Sequence, residues 1–251
     1  MTTSSMTTTS DARMSPMRKT ALAAGLLYIA TFVFSIPALA FYDDVVNKPE
    51  FVLGAGNGDG VLWGGLIEVI TALTAIGTAL VLYRVVKRYD SNRAVGFVAF
   101  RVLEASMIFV GVISLLGVFT LRQDFAGGDG TAVTAAASAL VAVKQWTFLL
   151  GPGLMPAFNA FCLATVLYRS RLVPRIIPTI GLVGAPILLA SFAATLFGAF
   201  DQVSGPALLL ALPIAIWEFS LGVWLTVKGF NASKVRDEPE VSTATPVMAM
   251  A

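Results

Sequence analysis

The chain has 251 residues with 17 basic and 15 acidic side chains, a formal net charge of +2, 57% hydrophobic residues and only 13% charged ones. Soluble globular domains carry about 25% charged residues, so this composition, with a mean hydropathy of +0.81, excludes a soluble domain and predicts one membrane-embedded unit in a lipid bilayer. The small net charge gives no reason to expect a nucleic-acid partner, and the absence of His with a single Cys, Cys162, excludes His-dependent metal, haem or proton-relay chemistry, multi-Cys metal sites and intramolecular disulfides.

Residues 1–15 are rich in Ser and Thr and nearly free of bulky apolar side chains, which predicts a disordered tail. Arg18 and Lys19 precede the first apolar run, about residues 20–42. Basic residues, an apolar stretch and Ala38-Leu39-Ala40 resemble a secretory signal with its cleavage site, but the run is long for a signal and further spans follow. An uncleaved first transmembrane helix is expected. Residues 43–60 read as a polar loop with four acidic residues and glycines at 54, 56, 58 and 60. No Lys-Ser/Thr follows those glycines, so they do not form a phosphate-binding loop.

The second span runs about 61–83 and carries Glu68. After a short basic connection, the third runs about 94–121 and carries Arg101 and Glu104. Residues 131–168 are harder to divide, because Gly151-Pro152-Gly153-Leu154-Met155-Pro156 interrupts an otherwise helical stretch. Proline removes a backbone hydrogen bond and kinks a helix. The expectation is one bent span of about 145–168 with an outer helical lead-in from about Ala132. The fifth span is about 176–200 and the sixth about 206–227, which carries Glu218. The membrane domain thus covers 16–231, and 232–251 are expected to form a second disordered tail.

The expected fold is all-α, a polytopic six-helix transmembrane bundle with both termini cytoplasmic. With the N-terminus inside, Arg13, Arg18, Lys19, Arg84, Lys87, Arg88, Arg93, Arg169, Arg171, Arg175, Lys228, Lys234 and Arg236 all fall on the cytoplasmic side. Only Lys48 and Arg122 fall clearly outside, as the positive-inside rule requires. The expected location is the cytoplasmic (inner) membrane of a bacterium.

Four ionisable residues lie in or near the apolar core: Glu68, Arg101, Glu104 and Glu218, with Lys144 nearer the outer surface. At a rise of about 1.5 Å per residue, Glu104 sits ~15 Å and Glu218 ~14 Å from the cytoplasmic ends of their spans. Asn159 lies at a similar depth, whereas Glu68 falls in the outer half. An ion at the bilayer centre costs at least ~2.5–3.5 kcal/mol. Positions 101 and 104 share a helix face, so Arg101 is expected to bond Glu104, Glu218 or both. Gly111 lies on the same face and would let another helix approach. Arginine's planar fork serves two carboxylates and stays charged.

Arg101, Glu104, Glu218 and Asn159 are therefore the candidate polar core, with Glu68 and Lys144 secondary. That core either handles a small ligand or ion, or only fixes helix packing in a structural or regulatory membrane component. No Gly-x-Ser-x-Gly elbow, His-Glu-x-x-His or deep Asp pair is present, so no catalytic residue, metal or cofactor is expected. Tyr28, Trp63, Tyr83, Trp146 and Tyr168 read as interfacial anchors.

Several strings resemble a known family. Gly96-Phe97 with Arg101-x-x-Glu104, Trp146 with Gly151-Pro152, and Tyr168-Arg-Ser-Arg-Leu-Val-Pro-Arg175 with Gly181 and Gly184 are three of them. Leu212-Pro213 with Glu218, and Trp224-Leu-Thr-Val-Lys-Gly-Phe-Asn231, complete the set. Together they are similar to bacterial membrane proteins grouped as domain of unknown function 4386, over about Arg18 to Asn231. Gln145 stands where that pattern often has Asp, and Phe219 where it often has Met. The resemblance implies a bacterial multi-pass membrane protein and brings no activity, ligand or catalytic residue with it.

Overall fold

The computed structural model describes residues 14–125, 127 and 129–235. The tail expectations for 1–13 and 236–251 lie outside them. The described chain contains helices and turns and no strand. Helix α1 (Pro16–Phe41) starts where the Ser15 hydroxyl accepts from the Arg18 N–H, with Pro16 at a position whose N–H would have no helical partner. After it come the short α2 (Asp43–Asn47) and a 3-10 turn, Pro49–Leu53.

Helix α3 (Gly58–Val86) is capped by Asn57 and α4 (Ser91–Asp124) by Asp90. Helix α5 (Gly130–Leu150) is capped by Asp129. Then come α6 (Met155–Ser170), α7 (Ile176–Leu196) and α8 (Gly205–Val227), the last capped by Ser204. Among the described residues six segments are long and apolar enough to cross a membrane: α1, α3, α4, the joined α5–α6 segment, α7 and α8.

The fourth segment spans Gly130–Ser170, 41 residues. That is about 60 Å of helix, twice the hydrocarbon thickness, so it cannot stand as one perpendicular rod. The lead-in expected from the sequence is continuous with the first part of the span, and the break falls after Leu150. Gly151 meets α4 there, and a Cβ on it would lie 2.7 Å from Met107 Cβ. Pro156 then falls in the first turn of α6, where a missing N–H costs nothing.

Small side chains line several of the helix contacts, while many large apolar ones face out. On α3, Leu66, Leu73 and Leu80 recur every seven residues and are exposed, while Ala72, Ala75 and Ala79 are buried. Lipid solvates leucine as well as protein does, so close backbone approach through small residues drives packing. At the crossing of α1 and α8, a Cβ on Gly25 would lie 2.7 Å from the Gly222 carbonyl oxygen.

The helices close into a ring in sequence order: α1 on α3, α3 on α4, α4 on α5 and α6, α6 on α7, α7 on α8, and α8 back on α1. One end of the ring is basic and tied together. Arg18 donates to the carbonyls of Leu225 (2.8 Å) and Val227 (3.2 Å) at the end of α8, where carbonyls lack helical partners. The Asn231 N–H reaches the Leu172 carbonyl at 2.8 Å.

At the other end, the segment expected to be a polar loop is folded into α2 and the 3-10 turn. The Arg122 guanidinium explains that difference, donating to the carbonyls of Phe51 (2.8 Å), Gly54 (3.0 Å) and Gly56 (3.0 Å). Gly54 and Gly56 take φ values of +109° and +73°, which favour glycine.

Candidate functional site

Two charge clusters are buried against α4. The first forms around Arg101, which is 2% exposed. Its Nη1 donates to Glu104 Oε2 at 3.1 Å, and its Nη2 bonds Glu218 Oε1 on α8. Glu104 Oε2 also accepts from Asn159 Nδ2 of α6 at 2.8 Å. The guanidinium lies over the Tyr28 ring of α1 at 5.5 Å and the Phe97 ring at 5.9 Å, both within cation–π range. Four elements of the ring thus meet at one arginine.

The break after α5 helps to set this geometry. A Cβ on Gly151 would come within 3.4 Å of the Glu104 carbonyl oxygen, so the start of α6 is held against this turn of α4. Asn159 follows one turn inside α6 and is 0% exposed. Among the described residues three buried polar atoms of the cluster find no hydrogen-bond partner: Tyr28 OH, Arg101 Nε and Asn159 Oδ1. They offer a donor, an acceptor and a hydroxyl that serves as either.

The second cluster is nearer the other end of the ring. Lys144 Nζ of α5 donates to both Glu68 oxygens, at 2.6 and 2.5 Å, and Tyr42 OH donates to Glu68 Oε2 at 3.0 Å. The ammonium also lies 4.8 Å from the centre of the Tyr42 ring. Gly111 of α4 makes room for it, since a Cβ there would lie 2.9 Å from Lys144 Cδ.

The two clusters differ in charge. Two carboxylates share one guanidinium in the first, leaving an excess negative charge when all three are ionised. One carboxylate meets one ammonium in the second, and the charges balance. Among the described residues no group of three His, Cys, Asp or Glu side chains could hold a metal ion.

The sequence reading did not pair Glu68 with Lys144, whose side chain is buried and 6% exposed. It also took Tyr28 for an interfacial anchor. Tyr28 is instead 1% exposed and lines the first cluster. Its depth was the available signal: twelve residues past the helix start at Pro16 is ~18 Å of rise. Nothing in the sequence pointed to Tyr42. Trp63 and Trp146 project outward and exposed, and Cys162 is half-buried.

A family model described as Domain of unknown function (DUF4386) matches residues 23–229. The chain belongs to this family. The DUF4386 match takes in both charge clusters and the whole ring from within α1 to the end of α8. No curated protein and no solved structure matches the chain. The chain is a multi-pass membrane protein, and the DUF4386 description carries no activity.

Proposed function

We propose that this protein handles a small cation, a proton or a monovalent metal ion, at the Arg101–Glu104–Glu218–Asn159 cluster. One observation carries the reading: carboxylates from two helices converge on a single buried arginine inside the ring. Their excess negative charge is expensive in hydrocarbon, and an added cation offsets it. The partnerless Asn159 Oδ1 and Tyr28 OH supply further oxygen atoms beside the carboxylates.

Vesicles containing the reconstituted protein, loaded with a pH-sensitive dye or with a sodium- or potassium-sensitive dye, test this. The parent protein should pass one of these cations above the rate of empty vesicles. Glu104→Gln and Glu218→Gln should each stay folded, losing no more than about 1 kcal/mol of stability, and abolish that flux. A parent no faster than empty vesicles, or variants that pass the cation as before, would sink the idea.

A second reading takes the cluster as a clasp that fixes helix packing. The near-complete burial of Arg101 favours it, together with the four helices that meet there. On that reading both Gln variants lose melting stability and the parent shows no flux.

The orientation proposed is both termini in the cytoplasm, in the inner membrane of a bacterium. Its support is the basic end of the ring, which includes Arg18, Arg84, Arg93, Arg171 and Lys228 and which the positive-inside rule places inside. Reporter fusions at Asp90 and Asp129 should report opposite sides of the membrane. Signals from the same side would overturn it.

A further inference from the structure

The two most distinctive strings of the sequence, 168–175 and 224–231, meet in space. The first closes α6 and leads into α7, and the second closes α8. Between them is a cavity of about 540 Å³ at the basic end of the ring. Arg171, Arg175 and Lys228 line it with Asn231, and Trp224 and Phe230 supply aromatic walls. Among the described residues none that lines it is acidic.

Three positive charges on one cavity are unusual unless something negative offsets them. Among the described residues none of the three forms an ion pair, and Arg175 only stacks over the Tyr168 ring at 4.8 Å. Arg171 also adopts a left-handed backbone, φ 56°, which L side chains avoid. Its N–H closes α6 on the Leu167 carbonyl at 3.1 Å, so the strained residue both ends the helix and lines the cavity. A glycine would do the first job without strain, so an arginine here has a use for its guanidinium. Helix α7 begins at Ile176, directly after the lining residues 171–175, and its first turn adds partial positive charge.

We propose that this cavity binds a phosphate-bearing anion, either the headgroup of an anionic phospholipid or a soluble phosphate. Arginine forks fit phosphate oxygens in pairs, and Lys228 adds a point charge. The volume lies within the range of small-ligand sites. Trp224 and Phe230 fit the apolar start of an acyl chain next to the headgroup, and basic pockets between membrane helices hold such headgroups.

The test uses the full chain purified in a neutral detergent. Native mass spectrometry counts adducts with short-chain phosphatidylglycerol, with phosphatidylcholine of the same chain length, and with inorganic phosphate. Phosphatidylglycerol adducts should exceed phosphatidylcholine adducts about tenfold, because both carry the phosphodiester but the choline cation is repelled by the three basic side chains. Preference for the lipid identifies a headgroup site, and equal binding of inorganic phosphate identifies a site for the free anion.

Arg175→Gln with Lys228→Gln should lose that preference, and the charge-preserving pair Arg175→Lys with Lys228→Arg should keep most of it. Added salt should weaken the parent's binding, a readout that needs no variant. No preference for either phosphate anion in the parent, or binding indifferent to salt, overturns the proposal.

Discussion

The two buried charge clusters share α4 as a wall and are built on different principles. Around Arg101, a planar cation holds carboxylates from two helices and a tyrosine ring from a third. Around Lys144, a point charge meets both oxygens of one carboxylate, and a tyrosine hydroxyl completes that carboxylate. The first is overfilled with negative charge and keeps polar atoms without partners. The second is balanced. A balanced buried pair is well suited to hold two helices together, whereas the unbalanced one is where the proposed cation would bind. The comparison therefore separates a packing element from a candidate site within one bundle.

Removing the Arg101 cation gives the largest expected effect. Arg101→Met leaves two carboxylates buried together and should cost about 3–5 kcal/mol, seen as loss of folded protein after extraction from the membrane. Normal yield and melting would mean that Arg101 does not compensate the carboxylates.

The same substitution in the two clusters is the sharpest comparison. Glu68→Gln strands Lys144 and should cost about 3 kcal/mol. Glu104→Gln leaves Arg101 paired with Glu218 and should cost about 1 kcal/mol. Denaturation midpoints of the two variants, measured side by side, check this, and equal losses would erase the distinction.

Gly111→Ala acts on the second cluster and on Thr147 beside it, because its Cβ would lie 2.9 Å from both Lys144 Cδ and Thr147 Oγ1. The expected cost is about 1–2 kcal/mol, relieved when Lys144→Ala is added together with Glu68→Ala. A loss that persists in the triple variant would place the strain elsewhere. The smallest effect expected is from Tyr42→Phe, which removes one hydrogen bond to Glu68 and should cost about 1 kcal/mol in the same melts.

Much of the fold was legible because the membrane restricts the choices. Apolar runs of span length, separated by short polar segments, leave helices as the only way to satisfy the backbone in lipid. The Arg101–Glu104 contact was legible too, since positions three apart on a helix are neighbours. The depths of Glu218 and Asn159 put them in the same layer as Arg101. Depth alone could not say which way those side chains face.

The Glu68–Lys144 pair shows where sequence reasoning stops. Those residues are 76 positions apart on helices that are not consecutive in the chain. Their meeting depends on α5 continuing as helix to Leu150 and on Gly111 admitting the lysine stem. Tyr28 and Tyr42 were obscured for a related reason. An aromatic ring in an apolar span has no local partner to betray its role, and its use is set by what crosses it.

By itself the sequence determined the class of protein, its six membrane-capable segments and the charges that must be compensated, because hydrophobicity and the cost of burying a charge are local properties. Only the tertiary structure decided which charges meet, since the ring closes α8 onto α1 and brings Glu218 within reach of an arginine 117 residues away. It also decided that two strings far apart in the chain, 168–175 and 224–231, enclose one basic cavity. Partner choice in a bundle follows from helix rotation and close approach at small residues, and a linear chain does not encode either one locally.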